Sequence, residues 1–477
     1  MSWVSSRIPC RPAAQIPTNA VTGAPGLALS LALAFLYTGA FPGSAAEARD
    51  PFQPARQLVA ERFDSGFPKG HDTYNGMGTA SDGRIFYVLS TEPFDVGAKM
   101  FAFDPRTEKI SQVGDLTAAC GEQGKQTVVQ GKSHVPFVEA GGKLYFATHA
   151  GYYSIIDGME KMGLPPAGWK AYPGGHLLAY DLKSGQFEDF GIASAGEGVL
   201  AFNMDTRRGR LFGISWPSGM FFRFDLATKS LKNFGKTCAE GENGKGAAYR
   251  TICRSIAVDP ADGSAYYSTS EGALFRYRAD RDVVEQIQGE DLKKDYFGLY
   301  DPTNPGHMGY NWRQTVYRPA DQLIYGVHGN SGYLFRFDPR QARIEVLDRL
   351  TSDVSKRSGM FDQFSYGYLG FALGPDGDTL YYLTGGPIYV DGQRLKGKDS
   401  IAMGAAKGLE DLHLVTYHIP TGRCRDQGAI FYPNGERPLY VNSIAVGQDG
   451  SVYSLARVPD QGRVRADLFR VKGPFTP

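Results

Sequence analysis

Histidines and arginines fall at equivalent positions of an internal repeat, and together they can remove a proton beside a carboxylate. His134 and His149 flank one copy, Arg254 and Arg313 open two others, His328 closes the copy that Arg313 opens, and Arg457 closes the last. A neutral imidazole is a competent base near neutral pH, and a second imidazole or a tyrosine can protonate a departing oxygen. A guanidinium fork holds a carboxylate bidentately and stabilises the charge that develops as the neighbouring C–H is lost. Base and clamp together are asked for about 6–10 kcal/mol, which such groups deliver. His134 and His149 are therefore predicted as base and acid, in unassigned order, with Arg254 and Arg313 as clamps and Tyr310 and Tyr249 as reserve acids. His328, Asn75, Asn442, Trp216 and Trp312 join Arg313 in the predicted binding surface. No cofactor is required. Three converging histidines, His134, His149 and His328, could still hold a divalent metal such as zinc, manganese or calcium, although their spacing is no ligand motif.

The repeat itself sets where these residues stand. Seven hairpins recur, each an apolar strand, a tight turn rich in Asp and Gly, and a strand ending in aromatic and small residues. They start at Asn75, His134, Leu200, Arg254, Arg313, Leu369 and Asn442. A third strand follows most copies, as in MFAFDPRTEKI from Met100 and LLAYDLKSGQFEDFG from Leu177, and runs into a fourth. This predicts an all-β, seven-bladed β-propeller with four antiparallel strands per blade, its ring closed by the N-terminal strand RQLVAERFD from Arg56. The first residues of the copies and the ends of the second strands then share one mouth. Long connections, at 150–175, 291–312, 349–368 and 385–411, reach the same face, where binding usually resides. No aligned mouth position is Asp or Glu, so an anion is the expected guest.

Arg7 and Arg11 precede an apolar run from Gly26 to Tyr37 and the small residues Gly43-Ser44-Ala45-Ala46, so residues 1–46 read as a secretory signal peptide. Residues 47–477 read as one propeller domain, secreted or periplasmic, off the membrane and monomeric. Losing Arg7 and Arg11 takes 51 basic residues to 49 against 50 acidic ones, which excludes a basic field for nucleic acid. Cys238 and Cys253 bracket a Gly-rich loop; a disulfide between them, and four buried or unpaired thiols at Cys120, Cys238, Cys253 and Cys424, both remain open.

The segments KSHVPFVEAGGKLYFATHAGYY from Lys132, YPGGHLLAYDLKSG from Tyr172 and MDTRRGRLFGISWPSG from Met204 resemble the seven-bladed-propeller polysaccharide lyases, the ulvan and rhamnose-glucuronate lyases in particular. The resemblance implies β-elimination on an anionic, uronic-acid-containing oligo- or polysaccharide, with a His pair on the second blade at His134 and His149. The alternatives are an exported, non-catalytic propeller that binds an anionic ligand or protein, and a streptogramin-lyase-like eliminating enzyme. His176, which opens a third strand, is read as structural.

Overall fold

Asp50–Pro477 groups as one compact unit. The computed structural model describes residues 56–477 apart from 72, 157–158, 295–299, 304–307, 330, 358–369, 385–388, 392, 395–410, 440, 461–462 and 476–477. The predicted signal peptide, His307, Tyr366 and Tyr368 lie outside the described residues, as does most of the 385–411 connection. No helix among the described residues is long and apolar enough to cross a membrane.

The architecture is all-β and propeller-like, made of four-stranded antiparallel sheets in which chain order equals spatial order. The first sheet runs Met77–Thr79, Ile85–Leu89, Lys99–Asp104, Lys109–Asp115. The second runs Val138–Ala140, Lys143–Ala147, Gly174–Asp181, Phe187–Ala195, and the third Gly198–Asp205, Arg210–Trp216, Met220–Asp225, Ser230–Lys236. A fourth begins at Ala257–Asp259 and a fifth at Trp312–Arg318. Each of the seven hairpins read from the sequence pairs as a hairpin.

Burial follows strand rank. Second strands such as IFYVL at Ile85–Leu89 are buried on both faces, whereas the fourth strand KISQVGD is mostly exposed or half-exposed. A strand buried on both sides must lie between two other layers, so each sheet packs its faces against its neighbours. Side chains knit successive first strands: Thr73 Oγ1 donates to Ser133 O (3.0 Å), Asn203 Nδ2 to Ile256 O (2.7 Å) and Thr79 Oγ1 to Val446 O (2.8 Å). The Asn75 N–H donates to Asn442 O at 3.2 Å. The amide of Gln314, in the fifth sheet, donates to Asn75 Oδ1, before the first sheet. First strands from sheets that are not neighbours in the chain therefore converge.

The N-terminal strand Gln57–Phe63 does more than the sequence foretold. Ala60–Phe63 pairs antiparallel with Leu468–Val471 as expected, but Gln57–Val59 also pairs parallel with Ala429–Phe431. One strand thus joins two four-stranded groups into an eight-stranded sheet. Cys238 and Cys253 are free, buried thiols. The Cys253 thiol donates to Ser255 O (3.1 Å), and Thr237 Oγ1 donates to Cys238 Sγ (3.7 Å), so each sulfur has its own partner.

Candidate active site

His134 and His149 come together, their ring centroids 5.5 Å apart. Residues 131–133 lead into the second sheet and 148–150 leave its second strand; Lys132 and His149 pair across this gap, exchanging hydrogen bonds of 3.0 and 2.7 Å. Two glycines allow the approach. A Cβ on Gly151 would fall 1.9 Å from Thr91 O, and one on Gly198 would fall 2.6 Å from Cγ of the His149 ring.

Each imidazole has its Nδ1 proton assigned by a carbonyl. His134 Nδ1 donates to Leu200 O at 3.1 Å and His149 Nδ1 to Ala150 O at 2.8 Å. A carbonyl only accepts, so the lone pair of each ring sits on Nε2. Access to the two differs. His149 Nε2 is shut away from solvent without a hydrogen-bond partner among the described residues, while the His134 side chain keeps slight exposure. The predicted exchangeable base and acid are therefore not equivalent, because Trp216 and Tyr153 wall in His149 at 5.4 and 6.3 Å between ring centroids.

Both rings are held neutral. Burial pushes His134 well below the usual imidazole range, helped by His149, Arg254, Lys132 and Arg313. Burial lowers His149 to about 3, with Lys132 and Arg254 adding to it against the Ala150 hydrogen bond.

Two tyrosines that the sequence reading did not assign belong to this cluster. Tyr74 stacks on His134, centroids 5.1 Å apart and planes 6° from parallel. The Tyr153 hydroxyl donates to Ala150 O at 2.6 Å and lies 3.2 Å from His149 Nδ1. Burial raises the Tyr153 pKa, so it remains protonated, although Lys132 opposes the shift. The Lys132 ammonium sits 4.6 Å from the Tyr153 ring centroid and 5.5 Å from that of Tyr74. Such cation–π contacts are each worth about 0.5–2 kcal/mol. Lys132 stands two residues before a repeat start, which is why aligning the repeats passes over it.

A carboxylate from outside the aligned positions is also present. Glu242 accepts from Trp216 Nε1 (2.8 Å) and the Ile252 N–H (3.0 Å), and its Oε1 pairs with Arg254 Nη1 at 2.6 Å. It arrives on the loop after Ser230–Lys236, outside the repeat, so no alignment of strand ends could find it. The guanidinium of Arg254, predicted as a clamp, is therefore partly neutralised.

The remaining predicted residues scatter. Arg313 is buried, places Nη1 3.9 Å from Met308 Sδ, and acts on His134 through its charge. Asn75 and Asn442 are buried and tied to each other through the backbone. Trp312 is 0% exposed, stacks on Phe335 and donates Nε1 to Ser255 O at 2.8 Å, so it is core and offers no face to a ligand. Tyr310 packs on Tyr300, and Tyr300 on His328, whose Nδ1 lies 2.7 Å from Ser331 Oγ. Tyr249 is buried in the Glu242 loop, its N–H on Gly246 O. Neither reserve acid has a ring contact with the two histidines. His328 belongs to the fifth sheet, three sheets on from His149, and among the described residues no three His, Cys, Asp or Glu side chains converge to hold a metal. The metal triad read from the sequence is thus not assembled.

No protein-family model matches the chain, and no curated protein does either. Among solved structures it is similar to the extracellular domain of a putative hybrid two-component system, BT4673, from B. thetaiotaomicron (14% identity, TM-score 0.45, 86% of this chain and 39% of that one). It is also similar to the Cps50 (Swd1) β-propeller domain of Myceliophteria thermophila (8%, 0.48, 87% and 100%) and to a putative 6-phosphogluconolactonase from Bacteroides uniformis (11%, 0.42, 75% and 85%). The chain thus spans about two fifths of the BT4673 chain. At these identities and scores the likenesses carry no activity over to this protein.

Proposed function

We propose that the sheets close into a seven-bladed β-propeller whose mouth is a lyase site for a uronic-acid-containing glycan. The five separate sheets and the two halves of the eight-stranded one supply the seven blades, and the Asn75–Asn442 bond links first to last. The observation that carries the activity is the pair of neutral imidazoles, each with Nδ1–H on a carbonyl, set among Lys132, Arg254 and Arg313. In β-elimination the His134 Nε2 takes the proton on the carbon next to the carboxylate. The electron pair of that C–H bond forms the ring double bond, the glycosidic C–O bond breaks, and the departing oxygen takes a proton from Tyr153. The cations hold the charge that accumulates on the carboxylate as the proton leaves. His149 acts through Tyr153, which it orients. No metal or other cofactor enters this route. The apolar run at 26–37 supports export to the compartment where such polymers occur.

A second reading, an anion-binding propeller without turnover, is favoured by the closure of His149 Nε2 and the engagement of Arg254 by Glu242. Incubation with glucuronate, iduronate and galacturonate polymers separates the two. The lyase reading expects the ultraviolet absorbance of an unsaturated uronate; saturable binding with no such product supports the second.

A further inference from the structure

We propose that a cavity at the turn ends of the first strands is a second binding site, one for a small organic ammonium: a primary amine carried on an apolar body. The strands Met77–Thr79, Val138–Ala140, Gly370–Leu373 and Ala445–Val446 each end at this cavity, and its volume is about 480 Å³. Small-molecule sites span about 300–1,000 Å³. His134 stands before the start of Val138–Ala140, at the other end of that strand, so this site is separate from the lyase reading. Ala80, Ala140, Leu373, Pro375 and Val446 give the cavity an apolar wall. Among the described residues that line it, Glu139 alone is charged. The Ser81 N–H donates to Glu139 Oε2 at 2.7 Å and the Ser81 hydroxyl donates to Oε1. These bonds orient the carboxylate without neutralising it, and a carboxylate has about four acceptor sites, so it can take further donors. No Lys, Arg or His pairs with Glu139 among the described residues. The carboxylates of the adjoining turns are engaged elsewhere: Asp82 pairs with Arg84 at 2.7 Å, Asp376 accepts the Thr379 N–H at 3.0 Å and Asp449 the Ser451 N–H at 3.0 Å. Gln448 Nε2 donates to Ser81 O at 3.0 Å, which leaves Oε1 as a second acceptor at the edge of the cavity. One uncompensated negative charge on an apolar wall selects a cation that donates hydrogen bonds and carries hydrocarbon. A bare calcium ion is a poor match, since it takes about six to eight oxygen ligands.

The test titrates the full chain with n-hexylamine, n-hexanol and hexanoate, three probes of one length that differ in charge. Calorimetry reads the affinities, and NMR of the Ala140 and Val446 backbone amides reads the place. Hexylammonium is expected to bind about tenfold more tightly than hexanol, with hexanoate weakest, and to shift both amides. Glu139→Gln keeps an acceptor for Ser81 but removes the charge, and is expected to bring hexylammonium down to the affinity of hexanol. Ala140→Phe fills the cavity and is expected to weaken both. Melting temperatures verify that each variant folds. Hexylammonium that binds no more tightly than hexanol overturns the proposal, as does a preference that survives Glu139→Gln or binding that leaves both amides unmoved. Should either variant fail to fold, the three probes and the amide shifts on wild type decide by themselves.

Discussion

Protonation sets His134 and His149 apart from His176. His134 and His149 are buried among cations, and their folded pKa values lie below the unfolded value of about 6.5. The unfolded chain then binds protons that the native one does not, so these residues lower stability as pH falls below about 6.5 and leave it unaffected above. They also stay deprotonated through mildly acidic pH. The kcat/KM profile on a cleaved glycan is expected to lack an acid-limb inflection near 6.5; an inflection between about 6 and 7 would show that the base is an ordinary, solvated imidazole. His176 is the opposite kind. Burial alone would lower it, but the hydrogen bonds it donates to Asp189, Cys120 and Glu122 raise it to about 11. Its Nδ1 lies 2.9 Å from Asp189 Oδ1 and its Nε2 3.0 Å from Glu122 Oε1. Its stabilising contribution is fully present below the unfolded pKa and is lost as pH rises toward about 11. His176→Ala strands a buried carboxylate at Glu122 and is expected to cost about 3 kcal/mol in urea melts. The pairing of His134 with His149 was legible because both sit at repeat boundaries. Tyr153, Lys132 and Glu242 were not, since their places come from a hairpin, a lead-in segment and a loop that have no counterpart in the other repeats.

Hairpins explain both what the sequence revealed and what it concealed. Third strands end in Asp104, Asp181, Asp225 and Asp338, and each carboxylate accepts the N–H two residues on, at 2.8–3.1 Å. That recurring Asp, with the Asp-Gly turns, is a local signal that needs no tertiary information. The turn that follows requires a left-handed residue, supplied by Gly185 in one sheet but by Lys229 (φ 54°) and Ala342 (φ 50°) in others. A left-handed alanine is strained by its own Cβ. Ala342→Gly is therefore expected to stabilise the protein by about 0.5–1 kcal/mol, read as a higher thermal midpoint. A lower midpoint would mean that the strain is relieved elsewhere. Trp312 misled for a related reason: a strand end in the repeat can turn its side chain into the core as readily as toward the mouth. The alignment fixes position along the strand but says nothing of depth.

At the scale of the molecule, the strand Gln57–Phe63 holds the two ends of the chain. The sequence exposed its length and its antiparallel partner, but a parallel pairing to Ala429–Phe431 depends on which sheet stands next to it, and no local pattern encodes that. Ala60 is 0% exposed, so Ala60→Asp buries a carboxylate at the junction of both groups. It is expected to cost more than about 3 kcal/mol and to expose two sheet edges, seen as aggregation on heating. An unchanged melting midpoint with no aggregation would contradict this. The lyase proposal turns on one local arrangement, a neutral His134 with cations nearby while Leu200 O fixes its Nδ1. Its most direct test is the rate of formation of unsaturated uronate by His134→Ala against wild type, on whichever glycan the wild type cleaves. A fall of at least about a hundredfold with an unchanged melting temperature is predicted. Turnover equal to wild type would contradict the account.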